Sequence, residues 1–180
     1  MVAAAAGRPP GRLRLGARGL AAGAAATAAL LHLTVVPEHL DEWWVYGVFF
    51  LGLSAAQALL VWLLLRGPRT TPLLLAAITG TLAVVVLYVL TRTTGLPVGP
   101  THVHSGVVVP GGVGNGMPIL PGSLTARHIE PVGAIDLSCL AAELVLIAAL
   151  VGQLPTRVRH RTTNIMLLFG LAALLPQALR

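Results

Sequence analysis

The chain has no lysine, a single cysteine and only six acidic residues among its 180. Charged residues make up 10% of it and aromatics 4%. A soluble domain carries about 25% charged residues, so this chain lacks the polar surface needed to face water on all sides. Its one cysteine, Cys139, excludes an intrachain disulfide and, read from the sequence, a cysteine-based zinc site. The formal charge of +6 comes entirely from arginines, set in short clusters between apolar blocks. Nucleic-acid binding calls for a basic face interleaved with aromatics, so no nucleic-acid partner is expected. No serine elbow or His-Glu-x-x-His motif is present. The glycine-rich run at 111–116 lacks the lysine of a phosphate-binding loop. The chain is therefore read as a non-enzyme.

What it has instead is apolar length. The apolar fraction is 56% and the mean hydropathy +0.84. The apolar residues fall in blocks of roughly 17 to 25, the length that crosses a hydrocarbon core of about 30 Å. The expected fold is an all-α transmembrane bundle of four or five helices, with the lipid bilayer as its surroundings. The helices are placed at about 19–36, 37–65, 72–91, 132–152 and 163–179. The last is the weakest, being short and carrying Pro176. Pro37 suits the first turn of a helix, where its missing N–H costs nothing, so the second helix is set to begin there. Residues 1–18, with Arg8, Arg12, Arg14 and Arg18 among Gly and Pro, read as a disordered basic tail. A signal peptide cleaved near Ala24-Ala25-Ala26 is the alternative for the first block, but its apolar run continues past that point.

Orientation follows from the arginines, which favour the cytoplasmic side. A cytoplasmic N-terminus in the cell membrane places nine of the twelve inside, leaving only Arg92, Arg127 and Arg180 outside. Glu38, Asp41, Glu42, Glu130 and Asp136 then gather at the outer face, as do His32, His39, His102, His104 and His128. The connecting segment Gly95–Pro131 holds eight Gly and six Pro in 37 residues. Long loops of this kind are usually functional or disordered.

Four groups could carry chemistry. His32, Glu38, His39 and Glu42, with Glu130 and Asp136, offer imidazole and carboxylate ligands for a divalent metal or copper ion. Asp136 and Glu143 are seven apart on one helix face, about 6 Å and about 16 Å below the outer interface. Glu143 is thus expected to be neutral and hydrogen-bonded near the midplane, in a polar layer with Ser54 and Thr81, and with Gln57 about a turn deeper. Tyr88 and Arg92 form the third group, Arg92 clamping Asp136 or Glu130 or orienting them for a ligand. His102 and His104 in the loop are the fourth, and read as solvated.

Glu38-His39-x-x-Glu42-Trp43, then Arg92-Thr93-x-Gly95-Leu96-Pro97-x-Gly99-Pro100, then Glu130-Pro131-x-Gly133-x-x-Asp136 follow one another along the chain. Over about residues 30–152 this order resembles uncharacterised small multi-pass integral membrane proteins of high-GC Gram-positive bacteria. The arginine-only basic set is in keeping with such a genome. The resemblance implies the multi-pass topology and no activity. Three functions follow from the residues. The first is an extracytoplasmic metal site for sensing, handling or transport. The second is a non-catalytic subunit whose polar residues clamp helices or contact a homo-oligomeric or other membrane-protein partner. The third is a proton-coupled transport component using Asp136 and Glu143.

Overall fold

The computed structural model describes residues 10–68, 70–93 and 132–178. The loop histidines His102, His104 and His128, together with Glu130, lie outside the described residues. Five helices run in chain order: α1 Pro10–Glu42, α2 Trp44–Arg66, α3 Thr71–Thr93, α4 Ala134–Gln153 and α5 Thr156–Ala178. Four of them are long and apolar enough to cross a membrane, within Gly16–Glu42, Trp44–Arg66, Thr71–Arg92 and Ala134–Gln153. The chain is a helical membrane protein.

The first helix differs most from its expected bounds. It starts at Pro10, where a proline at the first helical position costs no hydrogen bond, so it includes much of what reads as a tail. It also passes through Pro37 and ends only at Glu42. The turn falls at Trp43 instead, whose extended backbone (φ −162°, ψ 120°) separates α1 from α2 by one residue. So tight a hairpin needs a small residue where the helices part. A Cβ on Gly47 would collide with Leu40 Cγ and lie 3.0 Å from Leu40 Cα. At the other end, α5 begins at Thr156 rather than 163, directly after Pro155. Arg157, Arg159 and Arg161 are thus in its first turns and not in a preceding loop.

α1 sits between α2 and α4, α3 packs on the far side of α4, and α5 touches α4 only lightly. Small residues explain the central place of α1. Ala21, Ala22, Ala25, Ala28 and Ala29 are buried, and without bulk the backbones of packed membrane helices approach closely. Ala21, Ala22 and Ala25 share one core with Leu60 and Leu64 of α2, Leu74 and Ile78 of α3, and Leu146, Ile147 and Leu150 of α4. Large apolar residues on the outer faces, among them Leu30, Leu59, Trp62 and Phe169, remain exposed, as lipid-facing positions do.

Trp44 and Trp62 are both exposed on α2. Eighteen residues apart, they stand about 27 Å apart along the axis, matching a core of about 30 Å with interfacial tryptophans at each rim. Arg18 donates to the carbonyls of Leu64 and Leu65 at the end of α2, where a cation opposes the negative end of the helix dipole. This end of the bundle also carries Arg66, Arg157, Arg159 and Arg161. The opposite end carries Glu38, Asp41, Glu42, Asp136 and Arg92.

Candidate metal centre

Three ionisable side chains converge in the middle of the bundle. The ligating atoms of His32 on α1 and of Cys139 and Glu143 on α4 all lie within 4.8 Å of one another. His32 Nε2 is 3.2 Å from Cys139 Sγ and 3.8 Å from Glu143 Oε1. His32 is 6% exposed and Glu143 2%. Glu143 stands nine residues into α4, about 14 Å from its first residue, which is midway across the apolar slab.

The other nitrogen of His32 is held by α2. His32 Nδ1 lies 2.9 Å from Gln57 Oε1, and a carbonyl oxygen only accepts, so Nδ1 carries the proton. The neutral ring then turns the lone pair of Nε2 toward Cys139 and Glu143. Metal-binding histidines are oriented in this way, with the distal N–H given to an oxygen acceptor. Gln57 also lies beside the Glu143 side chain, so one amide stands against two of the three groups. Glu143 Oε1 itself is buried with no hydrogen-bond partner. A buried polar atom left unsatisfied costs about 1–3 kcal/mol, and in a native structure such an atom calls for an explanation.

The spacing suits an ion. With bonds of roughly 2.0–2.3 Å in a tetrahedral arrangement, ligand atoms stand about 3.3–3.7 Å apart. The 3.2 Å and 3.8 Å separations bracket that range closely. A thiolate and a carboxylate beside a neutral imidazole would offset the charge of a dication completely. Neutrality matters here, because an isolated charge in such a medium costs on the order of tens of kcal/mol.

Among the described residues, the outer-face set read from the sequence does not assemble as one site. The reason is the length of α1. On one continuous helix His39 lies seven residues beyond His32, about 10 Å along the axis, and Glu42 about 15 Å. Neither can share an ion with His32. Instead His39 is buried, donates from Nδ1 to the Val35 carbonyl at 2.8 Å, and packs on Phe50 with ring centroids 4.3 Å apart. Glu38 is half-buried one turn before Glu42.

Asp136 is also engaged elsewhere. Its Oδ2 accepts the Gly133 N–H at 2.8 Å, capping α4, and its Oδ1 accepts from Arg92 Nη2 at 3.1 Å. The Arg92 guanidinium lies 5.5 Å from the Tyr88 ring centroid. One carboxylate oxygen thereby caps α4 and the other joins α3 to α4, so both are engaged away from His32. Asp136→Asn would keep an acceptor for Gly133 and lose the ion pair, whereas Asp136→Ala loses both. Unfolding in detergent should rank wild type above Asn above Ala, with Ala lower by about 2–4 kcal/mol. Equal stability of the two variants would rule out a capping contribution.

The polar layer is present but arranged differently. Ser54, Gln57, Thr81 and Glu143 are all buried. Ser54 Oγ donates to the Ala29 carbonyl at 2.8 Å, tying α2 to α1. Gln57 lies level with the site rather than below it, because its long side chain reaches His32. Cys139 is the residue that sequence reasoning missed. A mixed site needs only one thiolate, and the signal was its position four residues before Glu143 on the same face.

Comparison with known proteins finds no matching family, no similar curated protein and no similar solved structure. The functional reading therefore rests on the geometry.

Proposed function

We propose that this membrane protein binds a divalent transition-metal ion of the zinc class inside the bilayer, through His32 Nε2, Cys139 Sγ and Glu143 Oε1. The observation that carries this reading is the buried, unpartnered Glu143 oxygen facing a thiol and an oriented imidazole. Ligand chemistry supports the choice of ion. Sulfur and imidazole disfavour magnesium and calcium, which take oxygen ligands. A carboxylate in the set favours a dication such as zinc, cobalt or nickel over monovalent copper. Three protein ligands, one short of a closed tetrahedral set, are the pattern of an exchangeable rather than a closed structural site, which fits sensing, handling or transport.

The acids and His39 at the outer end are clamps and packing groups in this reading, as the Arg92–Asp136 pair exemplifies. The cluster of arginines at the opposite end supports placing that end in the cytoplasm.

The test is elemental analysis of purified protein reloaded with zinc and desalted. Wild type should retain close to one ion per chain, His32→Ala almost none, and Glu42→Ala as much as wild type. Retention that survives in His32→Ala, or is lost in Glu42→Ala, would move the site to the outer end of α1. No retention in wild type would overturn the proposal.

A further inference from the structure

The surroundings of the site differ sharply between its two ends. Below it, toward the basic end, the bundle is filled by Ala21, Ala25, Leu60, Leu64, Leu146 and Leu150, all buried in one apolar core. Above it, toward the acidic end, ionisable groups follow one another in steps of about a helical turn. Arg92 and Asp136 are paired at the rim. One turn further in on α3 is Tyr88, its hydroxyl buried and its ring 5.5 Å from the Arg92 guanidinium. Its ionisable neighbours are Asp136, Arg92 and Cys139. Cys139 in turn neighbours Glu143 and Asp136 and touches His32.

The charges point the same way. Among the described residues, every acid other than Glu143 lies at the acidic end, and the opposite end carries only cations. A field of one sign raises the local concentration of counter-ions, so a dication collects at the first end and is repelled from the second.

Resting on the metal reading above, we infer that the site is a blind pocket in function: the ion enters and leaves only from the Arg92–Asp136 end, and Tyr88 is the constriction it passes. The apolar core seals the other direction. Entry needs Tyr88 to swing aside, and its hydroxyl then offers a polar contact on the way in. A site open to one face senses or stores the ion of that compartment and does not conduct it across.

The lone cysteine is a built-in reporter, since no other thiol exists in the chain. The probe is the membrane-impermeant cation 2-(trimethylammonium)ethyl methanethiosulfonate. It is applied to intact cells and to inverted vesicles, and a tag ahead of α1 marks the basic face. Zinc retention is measured on the same protein preparations. Cys139 should label from the face opposite the tag, label at least about tenfold more slowly from the tagged face, and be protected by zinc. Tyr88→Ala should speed labelling and zinc dissociation together several-fold. Tyr88→Phe, which keeps the ring, should stay close to wild type in labelling rate. Labelling from the tagged face, or from neither, would overturn one-ended access, as would unchanged rates in Tyr88→Ala. Labelling from the expected face without zinc retention would instead overturn the metal reading and leave the access route standing.

Discussion

Cys139→Ser should lower zinc affinity by more than about 100-fold, since loss of even an outer-shell partner costs about 10–100-fold and this removes a direct ligand. Serine is the informative replacement because its hydroxyl can still donate to His32 Nε2. The metal-free polar contact is then preserved, and the bundle should express and unfold like wild type. Cobalt makes the same point spectroscopically. Cobalt-loaded wild type should show a near-ultraviolet thiolate-to-metal charge-transfer absorption, and Cys139→Ser should lack it at any cobalt concentration. Protons and metal compete for the same atoms, so affinity should also fall as the pH is lowered. A cobalt spectrum without thiolate character in wild type would mean that the cysteine is a bystander.

Had α1 ended at Pro37, His32 would have lain near the outer interface beside Glu38 and Glu42. That is why sequence reasoning grouped them. Proline marks helix starts because its own N–H is free, yet a membrane helix tolerates an internal proline when neighbouring elements compensate. Nothing local in residues 33–42 separates the two outcomes. The turn is decided by the extended Trp43 and by the fit of Leu40 against Gly47, which are tertiary facts. The four spans were legible because apolar length is a bulk property of the chain. The meeting of Arg92 with Asp136 was legible as well, for depth counting along two helices brings both to one rim. Depth counting also gave the level of Glu143. It could not show that Cys139 and His32 face it, because azimuth depends on which helices are neighbours.

Glu143→Leu is expected to abolish metal binding and yet leave the metal-free bundle as stable as wild type, or more stable by about 1 kcal/mol. This result separates a metal ligand from a structural tie. If the glutamate existed to join helices, its removal would break satisfied hydrogen bonds and destabilise the fold. Here Oε1 has no partner, and exchanging an unsatisfied buried polar group for an apolar one of similar size is often neutral or favourable. The loss of the contact to Gln57 works against that gain, so Glu143→Gln, which can retain the contact, serves as the control. Both variants should fail to hold zinc, the glutamine because it brings no negative charge to offset the ion. Zinc should raise the unfolding temperature of wild type, since a ligand that binds only the folded state stabilises it by mass action. It should leave both variants unmoved. A Glu143→Leu protein destabilised by about 3 kcal/mol or more, beside a wild type indifferent to zinc, would favour the clamp. The three groups, with Gln57, would then be a polar seam joining α1, α2 and α4.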